Sequence, residues 1–259
     1  MTQTVTAIQN IDSDRLLTNL TQYASLMIEN GAEASQVENQ LITISEFLNV
    51  KINCAITLDT IFINLDSTSK TELIKVNSNA FNLQKVDALT QNTYALLTRQ
   101  IDLNTYYDRI DRIEHKTINY PFWLRFIGAG LVSMPPFLLF QTTPITFLFG
   151  FFLGPTGYFL NSTVDRHVDL PYVANVFGAF TVAFLACVAG TFYPTTSVAS
   201  LIIFGLLPLF PGTSIVNAIH EIIHNEIISG LIRLLQSLLS AGALGVGSTI
   251  AIVIFNALF

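Results

Sequence analysis

The part of this 259-residue chain after residue 116 has few charged residues. Residues 117–259 hold three of the twelve Lys and Arg residues and four of the eighteen Asp and Glu residues. Charged residues make up 12% of the whole chain, against about 25% in an average soluble domain, and hydrophobic residues make up 51%. This composition argues against a disordered chain, a nucleic-acid-binding protein and an ordinary soluble enzyme.

Cysteine is scarce throughout, and proline is missing from the first part. Cys54 and Cys187 lie one in each part, and no Cys/His spacing typical of a zinc site is present, so we expect neither a disulfide nor a cofactor. All nine Pro and thirteen of the fourteen Gly follow residue 116, and both are more frequent in membrane helices than in soluble ones. The first twenty residues lack a basic region followed by an apolar core, so we expect no signal peptide.

The change in composition predicts two domains, a soluble α+β domain over residues 1–116 and a transmembrane domain over residues 117–259. The fold class is therefore membrane α-helical, with five transmembrane helices after the soluble domain. About 20 apolar residues span the ~30 Å hydrocarbon core, which sets the length of each candidate. The candidate spans are Pro121–Phe140, Pro144–Ser162, Leu170–Gly190, Thr196–Pro211 and Ser229–Phe259.

The soluble domain is predicted to begin with two amphipathic helices. Gly31 is placed to end the first helix, and Ser35 with Glu38 three residues later forms a predicted capping box for the second. Three strands and two further helices follow. The predicted elements are Ile52–Leu58, Ile61–Leu65, Leu73–Val76, Leu83–Arg99 and Leu103–Lys116.

The positions of Lys and Arg predict the orientation in the membrane. Each of the few basic residues after residue 116 falls at a span end or loop on the side of the soluble domain, as Arg125, Arg166 and Arg233 show. Basic loops favour the cytoplasmic side. We therefore expect a multi-pass protein of the plasma membrane with a cytoplasmic N-terminus.

Polar groups gather in one apolar segment, which reads PLFPGTSIVNAIHEIIHNEIISGLIR over residues 208–233. The Pro211-Gly212 break interrupts a helix, which at membrane depth requires contact with protein or a water-filled cavity. One continuous helix after the break would place Asn217 and Glu221 on one face, and Glu226 and Arg233 on the opposite face. Ionisable groups in such a segment indicate function, although a helix at the cytoplasmic interface would also place them in water.

The same segment contains His220-Glu221-Ile222-Ile223-His224, which matches the H-E-x-x-H pattern of zinc peptidases. Two imidazoles one turn apart would bind the metal, and the glutamate would act as base. A third ligand is missing nearby, unless the loop Asp165–Asp169 supplies it. The pattern fixes only three positions, so an intramembrane zinc peptidase is a weak alternative.

The chain resembles the threonine/serine exporter family. Members show a broken span and then Pro-Gly, Asn-Ala, an acidic residue, a Gly-acidic pair, Ser-Gly and Arg, and they carry Gly-Ala-Glu and Val-acidic pairs in the soluble part. The matching positions are Pro211, Gly212, Asn217, Ala218, Glu221, Asn225, Glu226, Ser229, Gly230 and Arg233, with Gly31, Ala32, Glu33, Val37 and Glu38.

The resemblance has departures from the family pattern. Glu221 replaces an Asp, Gln36 stands where Arg is common, and Asn225 replaces a Gly, which is expected to remove a flexible point after Glu221. His220 and His224 have no family counterpart, which favours chance as the origin of the peptidase pattern.

The resemblance implies a non-enzymatic secondary transporter that exports small hydrophilic metabolites and is coupled to the proton gradient. The substrates would be of the threonine/serine type, or alternatively small dicarboxylates such as succinate. This chain would be the larger subunit of a split transporter, partnered by a smaller membrane subunit in the lipid bilayer. A membrane-tethered sensor or scaffold, with the soluble domain binding a ligand, is a further possibility.

The candidate substrate and ion pathway follows from the motif. Glu221 would respond to protons, Asn217 would donate a hydrogen bond to substrate, and Gly230 would permit close helix packing. The other pathway positions are Pro211, Gly212, Glu226 and Arg233, and the soluble-domain motif is Gly31, Glu33 and Glu38. These three either contact the membrane part or cap helices.

Overall fold

The computed structural model of the chain describes residues 12–57, 59–66, 70–76, 82–116, 120–134, 144–168, 170, 172–194 and 197–259. The chain divides into two compact units, one of residues 1–117 and 216–233, the other of residues 118–215 and 234–259. A single membrane domain over residues 117–259 stays a prediction.

The first unit contains the predicted helices and strands of the soluble domain, with ends that differ from the predicted ones by a few residues. The elements of this unit before residue 117 are α1 (Ser13–Glu29), α2 (Ala34–Leu48), β1 (Ile52–Ile56), β2 (Thr60–Leu65), β3 (Thr71–Lys75), α3 (Leu83–Leu97) and α4 (Leu103–His115). The three strands form an antiparallel sheet in the order β1-β2-β3, as two hairpins require.

The turn between α1 and α2 is set by local sequence. The Asp12 side chain caps α1 by accepting from the backbone of Asp14 and Arg15, and Gly31 ends the helix with a φ of 97°. The predicted capping box of α2 is wrong, because Glu33 occupies the N-cap position and no side chain caps the helix there. Ser35 therefore lies inside the first turn, and the Glu33 carboxylate is directed to another partner.

The core of the first unit lies between the sheet and the helices. Helices α1 and α2 contact the sheet, and α3 and α4 contact α1. Period-2 alternation directs Ile61, Ile63 and Leu65 of β2 inward, where all three are fully buried. Large side chains from the helices complete this core, among them Leu16, Leu20, Tyr23, Met27, Val37, Leu41, Ile44, Leu89, Tyr106 and Ile110.

The second unit is helical in the part that the structure describes. Its elements are α5 (Phe122–Ser133), α6 (Pro144–Asp165), α7 (Val173–Phe192), α8 (Val198–Gly205), a 3₁₀ turn (Leu207–Leu209), the start of α9 (Gly212–Ile223) and most of α10 (Ile227–Leu258). Helix α6 packs against α5, α7 and α8.

Small residues line these helix contacts. A side chain at Gly157 would meet Val182, and one at Gly247 would meet the backbone of Val176 on α7. A chain of hydrogen bonds joins three helices, from Asn161 Nδ2 to Asn175 Oδ1 (2.7 Å) and from Asn175 Nδ2 to Ser240 Oγ (2.6 Å). Close backbone approach and interhelical polar contacts are typical of helices packed within a membrane.

By length and composition, two helices in the described residues can cross a membrane, Val173–Phe192 and Ile227–Leu258. A third candidate is the pair Val198–Leu209 and Gly212–Ile223, bent by 62° at the predicted Pro-Gly break. Phe122–Ser133 is a shorter apolar helix, and the rest of the first predicted span lies outside the described residues. The chain is thus a helical membrane protein with a small sheet, and the count of five spans stays a prediction.

Candidate functional site

The polar segment over residues 208–233 does not form one continuous helix. Helix α9 ends at Ile223, Asn225 has a φ of 68°, and α10 begins at Ile227. Asparagine is one of the few residues other than glycine that adopts this left-handed conformation readily. The helix therefore breaks at Asn225, although asparagine stands there in place of the glycine of the family pattern, and the expected loss of a flexible point stays a prediction.

This turn brings Arg233 back to Glu221, so the predicted placement of these side chains on opposite faces of one helix is also wrong. Arg233 Nη2 donates to Glu221 Oε1 at 2.8 Å, and Arg233 Nε donates to Glu221 Oε2 at 3.2 Å. The Glu221 side chain is fully buried and that of Arg233 is 6% exposed. The two-point geometry is the arrangement in which a guanidinium and a carboxylate pair most specifically.

The α1–α2 turn supplies backbone partners to both members of the pair. Arg233 Nη2 lies 3.4 Å from the Ala32 carbonyl oxygen, to which it donates. The Ala34 N–H, in the first turn of α2, donates to the Glu221 carboxylate. A helix N-terminus carries a partial positive charge, so it stabilises this buried carboxylate in addition to Arg233.

The soluble-domain motif contacts α9 at two further points. Asn217 Nδ2 donates to the Gly31 carbonyl oxygen at 3.4 Å, and His220 Nδ1 lies 3.3 Å from Glu33 Oε1. The motif Gly31-Ala32-Glu33 thus contacts the segment 217–233 at Asn217, His220 and Arg233. The Glu33 side chain fits the first of the two interpretations of this motif, contact with the later segment, because it meets His220 and makes no capping hydrogen bond at the start of α2.

The histidines of the H-E-x-x-H pattern are directed to separate partners. His220 faces Glu33, and His224 Nδ1 contacts the carbonyl oxygen of His220 in its own helix. Within the described residues, no group of three or more His, Cys, Asp or Glu side chains is arranged to hold a metal ion. The zinc-peptidase alternative gains no support from this part of the chain.

Gly230 lies where α10 crosses α9. A Cβ on Gly230 would lie 2.8 Å from the Ala218 carbonyl oxygen and 2.7 Å from Ile222 Cγ1, so a side chain would separate the helices. Beside it, Ser229 is buried, and its hydroxyl has no hydrogen-bond partner among the described residues. Unpaired buried hydroxyls are rare in folded proteins.

The remaining predicted site residues are Glu38, Glu226, Pro211 and Gly212. Glu38 on α2 has its pKa raised, first by burial and then by the negative charge of Glu226, which precedes α10. Pro211 and Gly212 belong to the second unit, where the Pro211 carbonyl accepts from Ile215 as α9 begins.

Sequence reasoning missed the Ala32 and Ala34 backbone groups and the Glu221–Arg233 pairing. A general signal for the pairing was present, because opposite charges buried in an apolar segment are stable only when paired.

Comparison with protein families gives a match to the family described as "Putative threonine/serine exporter", over residues 19–255. The chain belongs to the threonine/serine exporter family. Comparison with curated proteins and with solved structures gives no significant match.

The match extends through both parts of the exporter chain. It covers the soluble-domain motif, the broken segment around Pro211 and the whole Glu221–Arg233 centre. The resemblance found in the sequence is thereby confirmed at the level of the family, which is a family of transporters.

Proposed function

We propose that this chain is the larger subunit of a secondary transporter that exports threonine- and serine-type amino acids from the cytoplasm, driven by the proton gradient. In this proposal it crosses the plasma membrane five times, its N-terminus is cytoplasmic, and a smaller membrane subunit completes the translocation path. Membership of the exporter family supports the substrate type.

The observation that carries the proposal is the buried Glu221–Arg233 pair. Both charges lie in an α9–α10 segment of apolar sequence, where an unpaired ionisable group costs roughly 2.5–3.5 kcal/mol at the centre of a span. A carboxylate in this setting can exist in two states, ionised and bound to Arg233, or protonated and released from it. Such a two-state element is what coupling to a proton gradient requires.

The α1–α2 turn takes part in the change between these two states of Glu221. Protonation of Glu221 removes the charge that attracts the Ala34 N–H and Arg233, so the contacts of Gly31-Ala32-Glu33 with α9 and α10 would loosen. The α1–α2 turn is therefore proposed to hold the pair closed on the cytoplasmic side.

Threonine efflux tests this function. Cells that produce the chain with its smaller subunit and are loaded with labelled L-threonine should lose the label faster than cells with an empty vector. Collapse of the proton gradient should abolish the difference.

The variant Glu221→Gln should reach the membrane and lose gradient-driven efflux, whereas Glu46→Gln, on the exposed face of α2, should export normally. Full gradient-driven efflux by Glu221→Gln would remove the pair from the mechanism. No efflux above the empty vector in the unsubstituted chain would refute the function itself.

A further inference from the structure

The Glu221–Arg233 pair has the charges that a free amino acid would complement. An amino acid carries one ammonium and one carboxylate, and the pair offers one carboxylate and one guanidinium in the reverse order. In the structure these two groups satisfy each other at 2.8 and 3.2 Å. A bound zwitterion would pair its ammonium with Glu221 and its carboxylate with Arg233, and the net charge of this buried region would not change.

A third group lies next to the pair. Ser229 and Arg233 are four residues apart on α10, so their side chains lie on the same face, one turn apart. The Ser229 side chain is buried, and its hydroxyl has no partner among the described residues. A buried hydroxyl without a partner costs free energy unless a water or a ligand completes its hydrogen bond.

We propose that Glu221 binds the substrate ammonium, Arg233 binds the substrate carboxylate, and Ser229 hydrogen-bonds the side-chain hydroxyl of threonine or serine. The Glu221–Arg233 pair is then the closed state of an empty binding site. This inference rests on the proposed function and assigns the three polar groups of its substrate to three side chains.

The assignment predicts selectivity by charge. A zwitterion leaves the site neutral, whereas a dicarboxylate would place its second carboxylate against Glu221. It also accounts for exchange with protons, since a proton and an ammonium group compete for the same carboxylate. The charged groups that surround Glu221 are Arg233 from α10 and Glu33 from the start of α2, and Glu33 in turn faces His220.

Inside-out membrane vesicles with the full chain and its smaller subunit provide the test, because export then appears as uptake of labelled L-threonine. Competitors are unlabelled L-threonine, N-acetyl-L-threonine, L-threonine methyl ester, L-valine and succinate. In the unsubstituted protein only L-threonine should compete strongly, at least about tenfold better than each of the others.

Each substitution should remove one preference. In Glu221→Gln, N-acetyl-L-threonine should compete as strongly as L-threonine. The methyl ester should do so in Arg233→Gln, and L-valine should do so in Ser229→Ala. Glu46→Gln should keep all three preferences. Where a variant has no measurable flux, calorimetric titration of the purified complex with the same compounds gives the ratio of dissociation constants instead.

The inference fails if the variants keep the preferences of the unsubstituted protein, in flux or in binding. Equal competition by succinate and L-threonine in the unsubstituted protein would also overturn it. If unsubstituted vesicles transport no threonine, the proposed function fails rather than this assignment alone. The double variant Glu221→Gln/Arg233→Gln, which leaves no buried charge, should fold as shown by its melting temperature and lose both charge preferences.

Discussion

The part of the first unit before residue 117 and the second unit differ in where they place large apolar side chains. In the first part Leu16, Leu41 and Ile63 are buried, whereas the segment 216–233 of the same unit exposes large side chains such as Ile228. In the second unit many buried positions are small, as at Ala179, Ala183 and Ala186 of α7. Large side chains of the second unit face outward, among them Phe152, Phe177, Leu185, Phe192, Ile203, Leu238, Val246 and Val253.

The difference reflects how the burial of side chains contributes to stability in water and in lipid. Burial of large apolar groups stabilises a fold only if the alternative is water. In lipid the outside is as apolar as the inside, so helices associate through close backbone approach and polar contacts instead. Each of the following substitutions tests whether a particular residue stabilises the fold through apolar burial, close helix packing or a polar contact.

The largest effect is expected at the Glu221–Arg233 pair, a polar centre in a segment of apolar sequence. Arg233→Leu leaves Glu221 buried without its cation and should lower the free energy of unfolding by about 3–5 kcal/mol. Thermal unfolding of the detergent-purified chain measures this. Glu221→Leu/Arg233→Leu should recover most of the loss, and a double variant no more stable than Arg233→Leu would contradict the pairing.

A leucine truncation compares the two units directly. Leu41→Ala opens a cavity in the core of the first unit and should cost about 2–5 kcal/mol. Leu238→Ala removes the same atoms from a side chain that is 56% exposed on α10 and should change stability little. The two melting temperatures give the comparison, and equal losses would show that Leu238 is covered in the protein.

Substitution of a glycine on α10 adds a side chain instead of removing one. A Cβ on Gly247 would lie 2.3 Å from the Val176 carbonyl oxygen, so Gly247→Ala should force the helices apart and cost about 1–3 kcal/mol. Gly245 has nothing within 4 Å of such an atom, so Gly245→Ala should be stabilising by up to about 1 kcal/mol. Unfolding in detergent measures both, and the same sign for both would argue against close α7–α10 packing.

The interhelical hydrogen bonds should matter less. Asn175→Leu removes the link from α6 through α7 to α10 and should cost about 0.6 kcal/mol, the average for such bonds in membranes. Thr181→Val is the control, because the hydrogen bond that the Thr181 hydroxyl makes among the described residues stays within α7, to the Phe177 carbonyl oxygen. Indistinguishable melting temperatures for these variants would mean that the asparagines add nothing to helix association.

The smallest effect is a pH dependence in the first unit. Burial and the charge of Glu226 raise the pKa of Glu38, so its ionised form is less favourable in the folded chain than in the unfolded one. The resulting destabilisation is absent below the ordinary carboxyl pKa and grows as the pH rises through the folded pKa. Glu38→Gln should therefore stabilise the chain slightly at pH 7 and not at acidic pH. A larger benefit in acid would reverse this sign.

Much of the fold could be predicted because its determinants are local. The apolar periodicity of α1, the Gly31 terminator and the alternation in β2 each act over a few residues, and the structure has these elements. The second helix was predicted correctly, but its cap was not, since the helix begins at Ala34 with Glu33 in the N-cap position. The contact of Glu33 with His220, a residue 187 positions away, was not predicted either. Pairing across such distances is invisible to a local pattern.

The same distinction holds for the candidate site. The residue types, the broken span and the motif positions follow from the sequence, and so does the separation of charge-poor from charge-rich chain. The left-handed turn at Asn225 decided that Glu221 meets Arg233, and the fold of α1 and α2 decided that Ala32 and Ala34 satisfy them. The physical reason is that composition determines which solvent a segment prefers, whereas a buried charge is stable only where the tertiary structure supplies its partner.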